Sequence, residues 1–566
     1  MSARNEAMGA AYTFADHRIF APAGPGADAI LFGADDASLF AIDRETERVV
    51  ERWRPRAPFA LHEAPARERE VLAALRDARV LVSAESPRRA PPPAIDPAAI
   101  PLATLVVEAA QACNLRCTYC YAGGGSYGGA ARLMSPAVAR RAARFLVESS
   151  GDRPAVTLVL FGGEPLLNLP ALEAAVTEAE AAAAAHGKRL VVSLTTNGTR
   201  FTPEALAFLS AHEIGVSVSI DGPPDVHDAN RRHAGRDGGG SHADVVAGLA
   251  RLRAHTRRPP AARVTLRPDQ WHRVPEVFDH VLSLGVLEVG IAPASPITAQ
   301  LLPTAQEDAA LLAGFAELAQ RFAREAERGR VLPFSNLLDL LARLHAGQVK
   351  GVPCGAGLGY LAVDAEGGLF LCHRLAGDAS FRVGDLERGA DHAKIGACLD
   401  AQAAPRRDAC AECWARSLCA GGCHYENHLR ENALGLPPGG SCEFIRRWLE
   451  LGIRVYAGTA LYAVALREGV VAPGRSLLEP VFYPGGERLR KIATRVAREA
   501  SLRRTWVVPG LEVNMSTGVL EMLRRLKGRG PLWKVLGRRE SWRARERRPA
   551  ERVGFDRARA PWPTPR

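Results

Sequence analysis

Six apolar runs recur between Leu102 and Pro296: TLVVEAA, VTLVLFGG, LVVSLTTNG, GVSVSIDG, ARVTL and VLEVGIAPA. Each reads as a buried strand. Between them lie Ala- and Leu-rich stretches such as LPALEAAVTEAEAAAAAHG, helical in period and propensity. A strand that is followed by a helix returns to its sheet as a parallel neighbour, so repeated alternation leaves few architectures open. The pattern predicts an α/β fold over residues 102–300, its parallel sheet closed, or nearly closed, into a barrel.

At 566 residues the chain exceeds one ordinary core, and its composition divides it. Residues 1–83 alternate apolar and polar positions (AILFGADDASLFAID) and then turn helical (EREVLAALRDARVLV), which predicts a small α+β module of strands followed by helices. Residues 84–101 are a Pro-rich linker, with prolines at 91, 92 and 93 fixing an extended backbone. Residues 301–353 read as a helical connector, 354–457 as a Cys-rich block and 458–566 as a basic tail. From Val470 onward, 23 Lys and Arg stand against 9 Asp and Glu, so the tail carries +14 of a chain whose net charge is +11. The body is slightly acidic. The tail's amphipathic stretches and scattered tryptophans suit nucleic acid, an anionic membrane surface or an acidic partner, or simply solvent, and they assign no partner.

Hydrophobic residues at 47% and charged residues at 24% exclude disordered and fibrous classes. No apolar run is long enough to cross a bilayer, and the opening MSARNEAMGAAYTFADHR lacks the apolar core of a signal peptide. These features predict a cytoplasmic protein. In that reducing compartment the eleven cysteines read as metal ligands or reactive thiols before they read as disulfides.

Cys113, Cys117 and Cys120 stand in EAAQACNLRCTYCYA, spaced C-x3-C-x2-C directly after the first strand. Three thiolates within eight residues can hold three irons of a cubane and leave the fourth free for a small molecule. A zinc site would require a fourth ligand; a zinc or disulfide cluster is the alternative. The spacing and its position resemble the radical S-adenosylmethionine (SAM) superfamily. FGGEPLL (Phe161–Leu167) matches that family's GGE motif. The resemblance implies that the backbone of Gly162 and Gly163, followed by Pro165, approaches the methionine moiety, and that Glu164 accepts from its ammonium. SLTTNGT (Ser193–Thr199) and SVSIDGP (Ser217–Pro223) end the next two strands and offer Ser193, Thr196, Asn197, Ser219 and Asp221 as cosubstrate contacts. By the same resemblance Arg231, in HDANR, meets the carboxylate of SAM, and Tyr119 contacts adenine. The implied fold is a partial (β/α)6 TIM-like barrel. The implied chemistry is one-electron cleavage of SAM at a [4Fe–4S] cluster and hydrogen abstraction by the 5′-deoxyadenosyl radical, with a reductase and flavodoxin or ferredoxin as electron donor.

The Cys-rich block reads Cys354-x12-Gly367-x4-Cys372, then Cys410-x2-Cys413-x5-Cys419-x3-Cys423, and ends at Cys442. Zinc ribbons are the alternative, but the ordered set resembles the SPASM domain, which holds two auxiliary [4Fe–4S] clusters. The resemblance implies an outer cluster on Cys410, Cys413, Cys419 and Cys442, and an inner one on Cys354, Cys372 and Cys423. Sulfatase-maturating relatives carry a further cysteine six residues after the first of the block; this chain has Tyr360 there. Cys398 either supplies the missing bond or is a buried apolar cysteine. Those relatives also place an acidic residue after the second cysteine, where this chain has His373. The run LCHRLAGDASFRVGDL is more similar to maturases of SCIFF peptides and of quinohemoprotein amine dehydrogenase, which join a cysteine sulfur to carbon, and CEFIRRWLELGIRVYA (Cys442 to Ala457) resembles the second group. That likeness implies a Cys-containing peptide or protein as substrate and a thioether as product. Asp378 is a candidate proton acceptor, or a solvated loop residue. In maturases of this type a winged-helix-like module grips a leader peptide; residues 1–83 are the candidate here, or else a cap on the barrel. Carbon–carbon crosslinking, formylglycine formation on a sulfatase and a non-catalytic iron–sulfur scaffold are the competing readings.

Overall fold

The computed structural model describes residues 10–457 apart from 22–27, 86–94, 236–237, 329, 346–347, 403–407 and 434–440. Half of the Pro-rich linker and the whole basic tail lie outside the described residues. All six expected strands form: β1 (Thr104–Gln111), β2 (Ala155–Gly162), β3 (Arg189–Thr196), β4 (Gly215–Ser219), β5 (Ala261–Leu266) and β6 (Val289–Pro293). They pair in parallel in sequence order. Helices Pro136–Glu148, Leu169–Ala185, Pro203–Ala211, His242–His255 and Val274–Ser283 cover one face. Ser135 and Thr202 cap two of them, each with proline at the next position, where the missing N–H costs nothing.

Side chains alternate across the sheet. Leu158, Leu160, Leu194, Val218 and Val264 enter the main core under the helices. Ser193, Thr195, Ser217, Ser219 and Thr265, on the opposite face, are half-buried. That polar row lines the concave side.

The sheet is not closed. The free edge of β1 is taken by β7 (Tyr360–Val363), parallel to it in register Tyr360 to Thr104, followed by antiparallel β8 (Gly368–Phe370) and β9 (Arg382–Asp385). The Cys-rich block therefore continues the main sheet. Its last helix, Cys442–Ala457, packs on Ala305–Glu327 and Ser335–His345, with Trp448 edge-on to Phe315 at 5.0 Å.

The N-terminal module interleaves its elements instead of placing strands before helices. Strands His17–Phe20, Ala29–Gly33 and Leu39–Ile42 form one antiparallel sheet; Phe59–Ala60 and Leu81–Ser83 return after the helices to flank Ala11–Phe14 in another. The return is driven by burial. Leu72, Leu75, Trp53 and Phe59 close a separate core with Leu31 and Phe40. On the alternate positions, Ile30 and Phe32 join the main core instead. Among the described residues, no helix is long and apolar enough to cross a membrane.

Candidate active site

The loop after β1 holds Cys113, Cys117 and Cys120, each partly buried and free of disulfide. Each thiolate lies within electrostatic reach of the others. Burial, with the other two cysteines adding to it, pushes the Cys117 thiol up to about 12. Donors surround the sulfurs: Leu115 N at 3.3 Å and Asn197 Nδ2 at 3.8 Å from Cys113, Gly124 N at 3.4 Å from Cys120, and Arg231 Nη1 at 4.0 Å from Cys117. Such donors offset the negative charge of a thiolate-bound cluster, so these residues fit the group. Among the described residues no three His, Cys, Asp or Glu side chains converge closely enough to hold a single metal ion. A cubane bound through one sulfur per iron asks for a wider triangle.

The GGE segment is built into this loop. The β1–β2 register shifts at Gly162, whose φ is +137°. A Cβ there would lie 2.4 Å from the Ala110 carbonyl oxygen, and one on Gly163 equally near that of Ala112. Both glycines thus allow backbone to pack on the cysteine loop. Glu164 is fully buried; it caps the short turn begun by Pro165 and accepts from Leu166 N at 3.0 Å, Thr196 Oγ1 at 2.8 Å and Asn197 N at 2.7 Å. Burial lifts its carboxyl to about 7, although these bonds pull it down. Its partners in the described residues are the ends of β2 and β3. Asn197 in turn donates to Asn114 Oδ1 at 2.9 Å, binding the β3 end to the cysteine loop.

Asp221, after β4, is the second buried carboxylate. It accepts from Thr265 N at 2.9 Å, Arg231 Nε at 3.0 Å and the hydroxyl of Tyr119. The Arg231 guanidinium stands over the Tyr119 ring, 5.5 Å from its centre. The structure thus gathers Tyr119, Asp221, Arg231 and Cys117 into one cluster. Ser193 and Ser219 lie on the concave face nearby, half-buried and without side-chain hydrogen bonds among the described residues.

Sequence reasoning missed two of the groups that close the concave face, Glu108 and Tyr127, and noted Tyr360 and His373 only as departures from the sulfatase-maturating pattern. Glu108, inward-facing on β1 and fully buried, accepts from Tyr127 Oη at 2.7 Å, while its Oε2 has no partner among the described residues. Burial holds its carboxyl well above the usual range. The signal was present as a lone carboxylate inside TLVVEAA. Opposite it, Tyr360 of β7 hydrogen-bonds His373 Nδ1 at 2.6 Å, and burial lowers that imidazole to about 3. His373 also meets Phe161 edge-on at 4.8 Å.

In the Cys-rich block, Cys354, Cys372 and Cys423 act electrostatically on one another, and Cys413 and Cys442 both act on Cys419. Cys410 precedes Cys413 by one turn, its carbonyl accepting from Cys413 N at 3.2 Å. Cys398 packs at the edge of the main core, and the charge bearing on it is Lys394, not a cysteine. Asp378 caps a turn, accepting from Ser380 N at 2.9 Å, and pairs with His428 at 3.2 Å; its side chain is 41% exposed.

Six parallel strands in sequence order, a three-thiol loop after the first and polar strand ends around it define a radical SAM fold. Residues 107–279 match the Radical SAM superfamily, and the protein is an enzyme carrying that domain. The chain is 35% identical to a GTP 3′,8-cyclase of Mycolicibacterium smegmatis over 32% of this chain and 47% of that protein. It is 24% identical to a serine-type anaerobic sulfatase-maturating enzyme of Klebsiella aerogenes over 62% of this chain and 84% of that one. Several other curated relatives are matched over less than half their length. The solved structure of anSMEcpe with bound AdoMet superposes with a TM-score of 0.53 at 18% identity, covering 63% of this chain and 98% of that one, a likeness of fold.

Proposed function

We propose that this enzyme is a peptide or protein maturase that joins a cysteine sulfur of a ribosomally made substrate to carbon. The observation that carries the reading is the inner trio: Cys354, Cys372 and Cys423 lie together, Cys398 sits apart, and Tyr360, where sulfatase-maturating relatives carry a further cysteine, is bonded to His373. A cluster held by Cys354, Cys372 and Cys423 would lack a fourth protein ligand and would supply a site for a soft ligand such as a substrate thiolate. Cys410, Cys413, Cys419 and Cys442 would hold the outer cluster.

When bound at Cys113, Cys117 and Cys120, the first cluster and SAM supply a radical able to take hydrogen from carbon. The chain's own residues bind and orient. Arg231 answers a carboxylate beside Cys117, and Asn197 and the glycines of the GGE turn shape the wall next to Cys113. Ser193 and Ser219 offer hydroxyls to the cosubstrate. Glu164 and Asp221 hold the strand ends in place. Residues 1–83 are the proposed grip for a leader peptide, and flavodoxin or ferredoxin the proposed electron donor.

One observation favours formylglycine formation instead: the long match to a sulfatase-maturating enzyme, alongside anSMEcpe solved with bound AdoMet and Cp18Cys peptide. His373 in place of an acid after Cys372 weighs against it. Co-expression with a Cys-containing peptide encoded nearby separates the readings by mass spectrometry. A thioether lowers the peptide mass by two hydrogens per bond and protects that cysteine from alkylation. Carbon–carbon coupling loses the same mass and leaves the thiol free. An aldehyde trapped by hydrazide on a sulfatase peptide would overturn the thioether reading.

A further inference from the structure

One side chain spans the interval between the two cysteine trios nearest the concave face. Arg374 lies two residues after Cys372. Its Nη1 is 3.8 Å from Cys423 Sγ, and its Nη2 donates to Glu426 Oε1 at 3.0 Å and to the Ser295 hydroxyl. Its Cζ is 4.4 Å from the centre of the Tyr425 ring and 5.2 Å from that of Tyr121. Tyr121 directly follows Cys120, Ser295 closely follows β6, and Tyr425 and Glu426 follow Cys423. The cysteine loop, the rim of the barrel and the inner trio thus meet on a single guanidinium, three-quarters shielded from water.

We propose that Arg374 is a positioning and charge-setting residue for the inner cluster, raising its reduction potential and tying it to the loop of the first cluster. This role presupposes the auxiliary clusters proposed above. A cluster gains negative charge on reduction, so a fixed cation and an N–H aimed at a ligand sulfur both favour the reduced state. Shielding from solvent keeps that effect from being screened. Glu426 works against it, because its carboxylate neutralises part of the same cation. Arginine suits the position better than lysine. Its planar fork donates to sulfur, carboxylate and hydroxyl at once while its faces lie against two aromatic rings.

The test is an EPR-monitored redox titration of the reconstituted full-length protein in a Cys113→Ala/Cys117→Ala/Cys120→Ala background, which leaves the auxiliary clusters in view. The inner signal is assigned by its loss in Cys372→Ser. For Arg374→Gln, the reduced-to-oxidised ratio of the inner cluster at fixed poise falls about tenfold, ~59 mV for a one-electron couple. Arg374→Lys keeps the charge and falls less. Glu426→Gln shifts the ratio the opposite way, which supports the proposal even if Arg374→Gln assembles poorly. The outer cluster moves little in any of them. Shifts of the same sign for Arg374→Gln and Glu426→Gln, or lowered thermal stability with unchanged potentials, would overturn it. Iron analysis keeps the two ideas apart: about four irons per unsubstituted chain, instead of the roughly twelve of three cubanes, sinks the auxiliary clusters themselves.

Discussion

Glu164 shows how one residue of a cofactor motif also carries structural load. Its three bonds come from Leu166, Thr196 and Asn197, and its carboxyl titrates near 7. A carboxyl raised above its unfolded value takes up a proton on folding, so between about pH 4.5 and pH 7 it removes stability as pH rises. Glu164→Gln cannot titrate. Relative to the parent, this variant gains up to roughly 3 kcal/mol across that window. Melting curves of the cluster-free protein at pH 5 and pH 7 check this; a constant difference between the two proteins contradicts it. The cysteine trio gives a second expectation at this scale. Cys117→Ala lowers iron from about twelve to about eight per chain and abolishes 5′-deoxyadenosine formation, since two thiolates do not hold the cubane. Iron and sulfide assays with chromatography of the nucleoside read both. These residues were legible because their spacing is local: eight residues for the trio, four for the GGE turn. Glu108 and Tyr127 were not, and Tyr360 and His373 stood out only as departures from the sulfatase-maturating pattern. Each pair is local, 19 and 13 residues apart, but the two come together only because β7 pairs with β1, a contact spanning some 250 residues that no local pattern records.

Among the elements, the strands of residues 102–300 were readable because each is an apolar run flanked by helical sequence. The open edge was not. β7 is four residues long, YLAV, and its parallel pairing with β1 depends on where the Cys-rich block comes to rest. Likewise, the strands that return in the N-terminal module, Phe59–Ala60 and Leu81–Ser83, are too short to show a period. The β2 end offers a sharper test. Gly162 adopts φ +137° and packs where a Cβ would stand 2.4 Å from the Ala110 carbonyl. Gly162→Ala therefore costs about 1–3 kcal/mol from backbone conformation alone, and the clash adds to it by pushing the cysteine loop off the sheet. The expected outcome is a lower melting temperature together with loss of SAM binding by equilibrium dialysis. A variant that melts earlier but binds SAM normally would mean the turn supports the sheet and not the cofactor wall.

At the scale of the whole molecule, the N-terminal module is fastened to the Cys-rich block at the loop that carries Cys413 and Cys419. Arg416, between Cys413 and Cys419 and only 7% exposed, pairs with Asp16 at 2.6 Å and Asp35 at 2.8 Å. Phe20 and Phe32 stand edge-on to Trp414, with centroids 5.1 Å and 5.7 Å away. A module gripping a leader peptide would thus be held rigidly against the cluster domain, and substrate docked there would reach the concave face at a fixed distance. Asp16→Asn/Asp35→Asn removes both anionic partners from the module side and touches no cysteine. The buried guanidinium then loses its charged acceptors, which weakens docking by about 1–3 kcal/mol. Iron content and substrate-independent cleavage of SAM stay at the parent level, because the barrel and its trio are untouched. Turnover of a leader-bearing peptide falls through a raised KM, while a leaderless core peptide, already poor, is unaffected. Equal loss on both peptides would place the effect in the outer cluster loop, and no loss on either would show that the module serves the barrel as a cap and takes no part in recognising substrate.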